Sequence, residues 1–272
     1  LLKLSDGSVV ASWYGENKLD TYPIKFHLQK FIEADSVADL QSPSASFSSS
    51  GDWNTSSLKD LTVDKHDNIY AFAGRAGYTE VYKFNSNLEF LGAYEEFEPQ
   101  LFFYDTSMIT HEKFVYSGYT FDRDAKEYKV HVKIYSIDEN GINLDSTPIN
   151  FWASNALTNT SAYALDTFET SDGNFGVIWR EGTRGDYGLP YIQKFDIISG
   201  VALTDPIQIT DNDKTNTVIG DAEVILLGDG SYLVVAAVTR RVEDFFDGKP
   251  QIVTKEFSYY KFLDENLSPL SD

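Results

Sequence analysis

Asp229-Gly230-Ser231-Tyr232-Leu233-Val234-Val235-Ala236-Ala237-Val238 decides the fold: a tight Asp-Gly turn runs straight into an apolar strand. The same order recurs at Asp6-Gly7, before Ser8-Val9-Val10-Ala11-Ser12-Trp13. It recurs again at Asp172-Gly173, before Asn174-Phe175-Gly176-Val177-Ile178-Trp179. Fainter copies stand at Asp67-Asn68, before Ile69-Tyr70-Ala71-Phe72-Ala73, and at His111-Glu112-Lys113, before Phe114-Val115-Tyr116-Ser117. Gly or Asn in second place supplies the positive φ of a tight connection. The β-branched and apolar run that follows fits a strand covered on both faces.

A second motif follows each of these strands: a polar or aromatic residue, then Lys, then an aromatic or aliphatic residue. Its copies are Gln29-Lys30-Phe31, Tyr82-Lys83-Phe84, Val132-Lys133-Ile134, Gln193-Lys194-Phe195 and Tyr260-Lys261-Phe262, with the lysines 50 to 67 residues apart. A long repeat built of strands, with no amphipathic helix between them, predicts propeller blades. Each unit reads as an inner strand, the Asp-Gly turn with a second strand, the Lys strand, and an outer strand. Leu58–Val63 and Ala162–Glu169 are predicted inner strands; Thr147–Phe151 and Pro206–Ile209 are predicted outer ones.

The expected fold is therefore all-β, a single five-bladed β-propeller over 1–272 with units at roughly 1–50, 51–100, 101–152, 153–210 and 211–272. A β-sandwich pair is the structural alternative. The chain starts inside the first inner strand and stops at Leu267-Ser268-Pro269-Leu270, where the fifth outer strand belongs. That strand is then borrowed from elsewhere, or the chain is a segment of a longer propeller. The opening Leu1-Leu2-Lys3-Leu4, without initiator Met or leader, reads as a processed or excised piece.

Composition narrows the chemistry. Aromatics make up 15% of the residues, which suits strands. A net charge of −20 disfavours nucleic acid and anionic membrane as partners. The absence of cysteine excludes disulfides, thiolate catalysis and Cys-based zinc sites. No apolar run approaches the ~20 residues of a membrane helix.

The fourth unit runs from Asp172-Gly173 through Trp179 to Gln193-Lys194-Phe195-Asp196 and Gly200. This order resembles the propeller-type repeats of large bacterial secreted and cell-surface proteins. The first and fifth units resemble them in part, the second and third weakly. The resemblance implies an exported adhesion or binding module, and it brings no catalytic signature.

Candidate functional residues come from sorting side chains by loop. All six arginines, Arg75, Arg123, Arg180, Arg184, Arg240 and Arg241, fall between a predicted second and third strand. Guanidinium forks converging on one rim would bind carboxylate, sulfate or phosphate groups. An acidic glycan or a protein partner's carboxylates would suit them. Glu16, Asp20, Asp122, Asp124, Glu127, Glu181, Asp186, Glu243, Asp244 and Asp247 share those loops, so internal pairing is the plainer reading. Trp53 and Trp152 fall in loops approaching inner strands and are candidates for stacking on sugar rings. Trp13 and Trp179 hold the same repeat position and read as blade packing.

No cofactor is expected. Calcium is a weak idea at Asp211 and Asp213 with Asp221 nearby, since the spacing departs from a calcium loop. The four histidines, His27, His66, His111 and His131, show no ligand spacing and no triad. Two functions follow. The first is a non-catalytic extracellular binding module gripping an acidic ligand through clustered arginine. The alternative is a carbohydrate-active enzyme, a glycoside hydrolase or polysaccharide lyase, working through paired carboxylates. A purely structural subunit is the third.

Overall fold

A computed structural model describes residues 1–15, 25–32, 43–48, 57–75, 78–97, 101–109, 113–122, 127–138, 140–143, 147–153, 160–183, 188–209, 217–246 and 249–270. Among these residues all regular structure is strand. The first sheet takes β1 (Leu2–Lys3), β2 (Val9–Gly15), β3 (Lys25–Phe31) and β4 (Ser44–Ser48) in chain order. The second takes β5 (Ser57–Val63), β6 (Ile69–Arg75), β7 (Tyr78–Phe84) and β8 (Phe90–Phe97). In the third, β9 (Leu101–Ile109) and β10 (Lys113–Asp122) precede β11 (Glu127–Asp138). Both β12 (Gly141–Ile142) and β13 (Ile149–Trp152) then pair with β11. The fourth runs β14 (Thr160–Glu169), β15 (Phe175–Thr183), β16 (Leu189–Phe195), β17 (Ile207–Gln208). The fifth has three strands among the described residues: β18 (Thr217–Leu226), β19 (Tyr232–Phe246) and β20 (Lys249–Leu263).

Five antiparallel sheets of consecutive strands are the blades of a five-bladed β-propeller, the expected fold class. By contacts the chain forms two compact units, 1–114 with 135–147, and 115–134 with 148–272. In the first unit Leu4, Val10, Phe26 and Leu28 pack with Ile69, Ala71, Tyr82, Phe84 and Leu88. In the second, Ile178 and Ile192 pack with Ala222, Val224, Tyr232, Val234 and Leu263.

In the first, second, fourth and fifth sheets the turn that opens the second strand is a five-residue loop; the copy at His111-Glu112 lies outside the described residues. In Leu4–Ser8 the Leu4 N–H donates to the Ser8 carbonyl and the Gly7 N–H to the Leu4 carbonyl, with Gly7 at φ 84°. Thr170–Asn174 and Leu227–Ser231 repeat it, with Gly173 at φ 79° and Gly230 at φ 86°. The fainter copy is Asp64–Asn68, one residue out of step with the expected register: Asp67 itself takes the left-handed position at φ 57°. Asp enters that region more readily than most residues with a Cβ, and at Asp67 the side chain is held by a distant partner rather than by its own turn. Here its carboxylate accepts the Ser5 N–H at 3.0 Å and the Ser5 hydroxyl.

The same loop closes two third strands, at Asn85–Glu89 and Asp264–Ser268, and there leucine is left-handed. Leu88 (φ 61°) and Leu267 (φ 65°) are 4% and 0% exposed. A left-handed residue with a Cβ costs about 1–2 kcal/mol. Burying a leucine side chain contributes about 1.5–3 kcal/mol, so burial wins.

The two sequence motifs meet in space. Lys30 Nζ lies 2.9 Å from Asp6 Oδ2 and donates to the Ser86 carbonyl of the next sheet at 3.0 Å. Lys194 Nζ lies 2.8 Å from Asp172 Oδ2. In the second sheet, where the turn is out of step, Lys83 donates instead to the Asn140 carbonyl and sits over the Tyr70 ring. Tyrosines tie neighbouring sheets at the same end. The Tyr70 hydroxyl accepts the Ile142 N–H at 2.9 Å, and the Tyr232 hydroxyl accepts the Ser171 N–H at 2.7 Å.

Two expectations change. Glu243 and Asp244, expected in a loop with Arg240 and Arg241, are in strand instead, because β19 and β20 continue as one ladder to the pair Phe246↔Lys249. Trp13 and Trp179 share a repeat position but not an environment: Trp179 is 1% exposed and Trp13 47%.

Two outcomes test this packing. Leu267→Gly is expected to destabilise by about 1 kcal/mol and Leu267→Ala by about 2–3 kcal/mol in urea unfolding, since only glycine relieves the left-handed strain. The reverse order would refute the strain argument, and no loss in either variant would refute the burial argument. Acidification gives the second. Hydrogen bonds from Ser8 and Lys30 hold Asp6 well below the ordinary carboxylate range. At Asp172 burial acts to raise the value, but hydrogen bonds from Lys194, Thr170 and Asn174 outweigh it and leave the carboxyl depressed. A depressed folded value stabilises above the unfolded one, near pH 4, and is lost as pH falls through the folded value. The urea midpoint should therefore drop below about pH 4, more steeply in the parent chain than in Asp172→Asn.

Candidate functional site

The feature that could carry chemistry lies on the first strands of the sheets. In β5, Leu58 pairs Ala73 and Asp60 pairs Phe72, leaving Lys59 as an extra residue. In β14, Ala164 pairs Trp179 and Asp166 pairs Ile178, with Leu165 extra. In β18, Ile219 pairs Val238 and Asp221 pairs Ala237, with Gly220 extra. Each is a β-bulge followed at once by aspartate. A bulge bends the strand and re-aims the residue beside it, and such devices gather next to active sites.

Asp166 and Asp221 belong to the second unit, on neighbouring first strands. Asp166 is half-buried. Its Oδ2 accepts the Val224 N–H at 2.8 Å and its Oδ1 the Thr167 N–H at 2.7 Å, so its plane is fixed by backbone. Val224 lies three residues on from Asp221, about 10 Å along an extended strand.

Three residues before Asp166 in β14, Tyr163 belongs to a cluster of rings. Tyr163 lies 4.8 Å from Tyr119 and 5.6 Å from Tyr128 between centroids. The Arg180 guanidinium sits 5.0 Å from the Tyr163 ring centre. Glu181, the next residue of β15, accepts a hydrogen bond from the Trp179 indole N–H at 3.3 Å. Burial, and secondarily the Glu181 charge, push the Tyr191 hydroxyl up.

Four of the six arginine candidates stand in strands. Arg75 ends β6, Arg180 lies inside β15, and Arg240 and Arg241 lie inside β19, paired with Lys255 and Thr254. Arg123 and Arg184 lie outside the described residues, as does Trp53. Trp152 belongs to a strand rather than a loop: it ends β13, opposite His131.

Of the calcium candidates, Asp211 and Asp213 lie outside the described residues, and Asp221 stands in β18. Among the described residues no group of three His, Asp or Glu side chains is placed to hold a metal ion. Sequence reasoning passed over Asp60 and Asp166. One signal was available, Gly220 inside a strand pattern, because a strand glycine often marks a bulge.

No protein-family model matches the chain, and no curated protein matches its sequence. Solved structures do match in fold. An endo-arabinase from Bacteroides thetaiotaomicron is 12% identical at TM-score 0.48, covering 80% of this chain and 82% of that one. A mannose phosphorylase from Leishmania mexicana is 15% identical at TM-score 0.44, covering 78% and 65%. An α-L-arabinofuranosidase from Clostridium thermocellum is 11% identical at TM-score 0.36, covering 86% and 92%. These neighbours are named as carbohydrate enzymes, none as an adhesion module, and the expectation of a non-catalytic adhesion module is not carried further; at these identities the likeness to this chain is one of fold.

Proposed function

We propose that this chain is a carbohydrate-active enzyme of the glycoside hydrolase type, with Asp166 and Asp221 as its working carboxylates. The observation that carries the reading is the bulge-then-aspartate device on first strands, at Asp166 and Asp221 in one unit and at Asp60 in the other. Hydrolysis of a glycosidic bond needs one carboxyl group to protonate the leaving oxygen. It needs a second, held about 5–10 Å away, to attack or to activate water. Asp166, oriented by two N–H donors, suits the carboxylate that must keep its place while charge develops at the sugar.

Several other features support a carbohydrate substrate. Half-buried Tyr119, Tyr128 and Tyr163 offer flat apolar rings in the same unit. The resemblance of the repeats to those of exported bacterial proteins fits a substrate met outside the cell.

The test is release of reducing sugar from a panel of soluble polysaccharides that includes arabinan and mannan. The parent chain should release product from at least one. Asp166→Asn and Asp221→Asn should each lower the rate by about a hundredfold or more in variants that still unfold cooperatively, although Asp166→Asn also gives up one of its two backbone hydrogen bonds and so some thermal stability. Release by neither parent nor variants, or equal rates in all three, would overturn the proposal.

A further inference from the structure

The third sheet carries a surface that the carboxylates do not use. Its fourth-strand position is filled by β13, whose burial alternates residue by residue: Ile149 and Phe151 are half-buried, Asn150 and Trp152 exposed. Phe151 anchors the strand. Its ring lies 5.2 Å from Phe195 and 6.4 Å from Phe175 in the fourth sheet, and it covers Gly200 so closely that a Cβ there would meet it at 2.6 Å. The Trp152 backbone is therefore fixed from the opposite side of the strand.

Trp152 is 43% exposed, and its partner across the ladder is His131. The imidazole lies 5.0 Å from the indole at an interplanar angle of 44°. The Lys129 ammonium lies 5.6 Å from the ring centroid. Two residues of β11 thus support the ring, with the Lys129 ammonium over it, and the residue as a whole keeps 43% of its surface exposed. Asn150 stands on the same face of β13, about 7 Å away along the strand. An indole fixed on a strand, with an amide and an ammonium beside it, has the parts that a sugar ring recognises. The C–H face of the sugar stacks on the π face, and hydroxyl groups bond to the flanking polar atoms. Because the ring is already ordered, stacking costs little side-chain entropy.

We infer that Trp152, with Asn150 and Lys129, forms a second carbohydrate-binding site on the outer strand of the third sheet, one that holds a neutral polysaccharide chain. The inference rests on the carbohydrate reading above, but it concerns retention of the polymer rather than cleavage. The site is on an outer strand and the carboxylates are on first strands, so the two can be tested apart.

The experiment is retardation in native gels cast with each polysaccharide of the same panel. It uses the full chain as parent, Trp152→Ala, Trp152→Phe and Asp166→Asn. At least one polymer should retard the parent and Asp166→Asn equally. Trp152→Ala should bind that polymer about tenfold more weakly, and Trp152→Phe should recover part of the loss. Trp152→Ala should keep the parent's thermal midpoint and, if the parent is active, its rate on short oligosaccharides. Retardation without any hydrolysis would sink the enzyme reading and leave this site standing. Retardation of Trp152→Ala equal to the parent, or no retardation of the parent by any polymer, would overturn the site.

Discussion

A buried ammonium group has to be matched by an anion or a carbonyl, and that requirement organises the repeat. Lys30, Lys133 and Lys194 are 4%, 2% and 8% exposed. Removing a charge from water costs several kcal/mol unless hydrogen bonds and an opposite charge replace the solvent. In the first and fourth sheets the aspartate of the five-residue turn supplies both. The turn needs a residue at positive φ to bring its carboxylate back over the third strand, and glycine occupies that position in three sheets. In those two sheets the Asp-Gly and Lys motifs are two halves of one interaction. Where the turn is out of step, as at Asp64–Asn68, the lysine turns to the next sheet's Asn140 carbonyl instead.

Much of this architecture is legible in the sequence because its causes are local. Positive φ calls for glycine, and a strand covered on both faces calls for an unbroken apolar run. Strands β5, β14 and β15 fall where those signals put them. Long-range events are harder to read. The one-residue offset at Asp67 shows only in the hydrogen bonds, since Asp-Asn and Asp-Gly look equivalent as text. The third sheet completes itself with two short strands on β11, which no repeat pattern implies. The hairpin Tyr232–Leu263 continues as a ladder through Arg240-Arg241-Val242-Glu243-Asp244, where charge density reads as loop.

The functional residues divide along the same line. Arginine draws the eye because only six occur in an acidic chain, yet four of them belong to strands and Arg180 is stacked on Tyr163. Asp60, Asp166 and Asp221 are lost among 42 acidic residues until strand register shows that each follows a bulge. A bulge is a property of two paired strands, so neither sequence segment alone reveals it. The same limit applies to Trp152. Its position in β13, opposite His131, depends on a pairing across some twenty residues.

The central claim, that the turn carboxylate and the third-strand lysine stabilise each other, is tested most directly by a double-mutant cycle on Asp172 and Lys194. Stability would be measured for the parent, Asp172→Asn, Lys194→Met and the double variant. Lys194 is nearly buried and Asp172 about half exposed, so a coupling of about 1 kcal/mol or more is expected, at or above the upper end for exposed pairs. Additive losses, with coupling near zero, would mean that the two motifs recur side by side without holding the sheets in place.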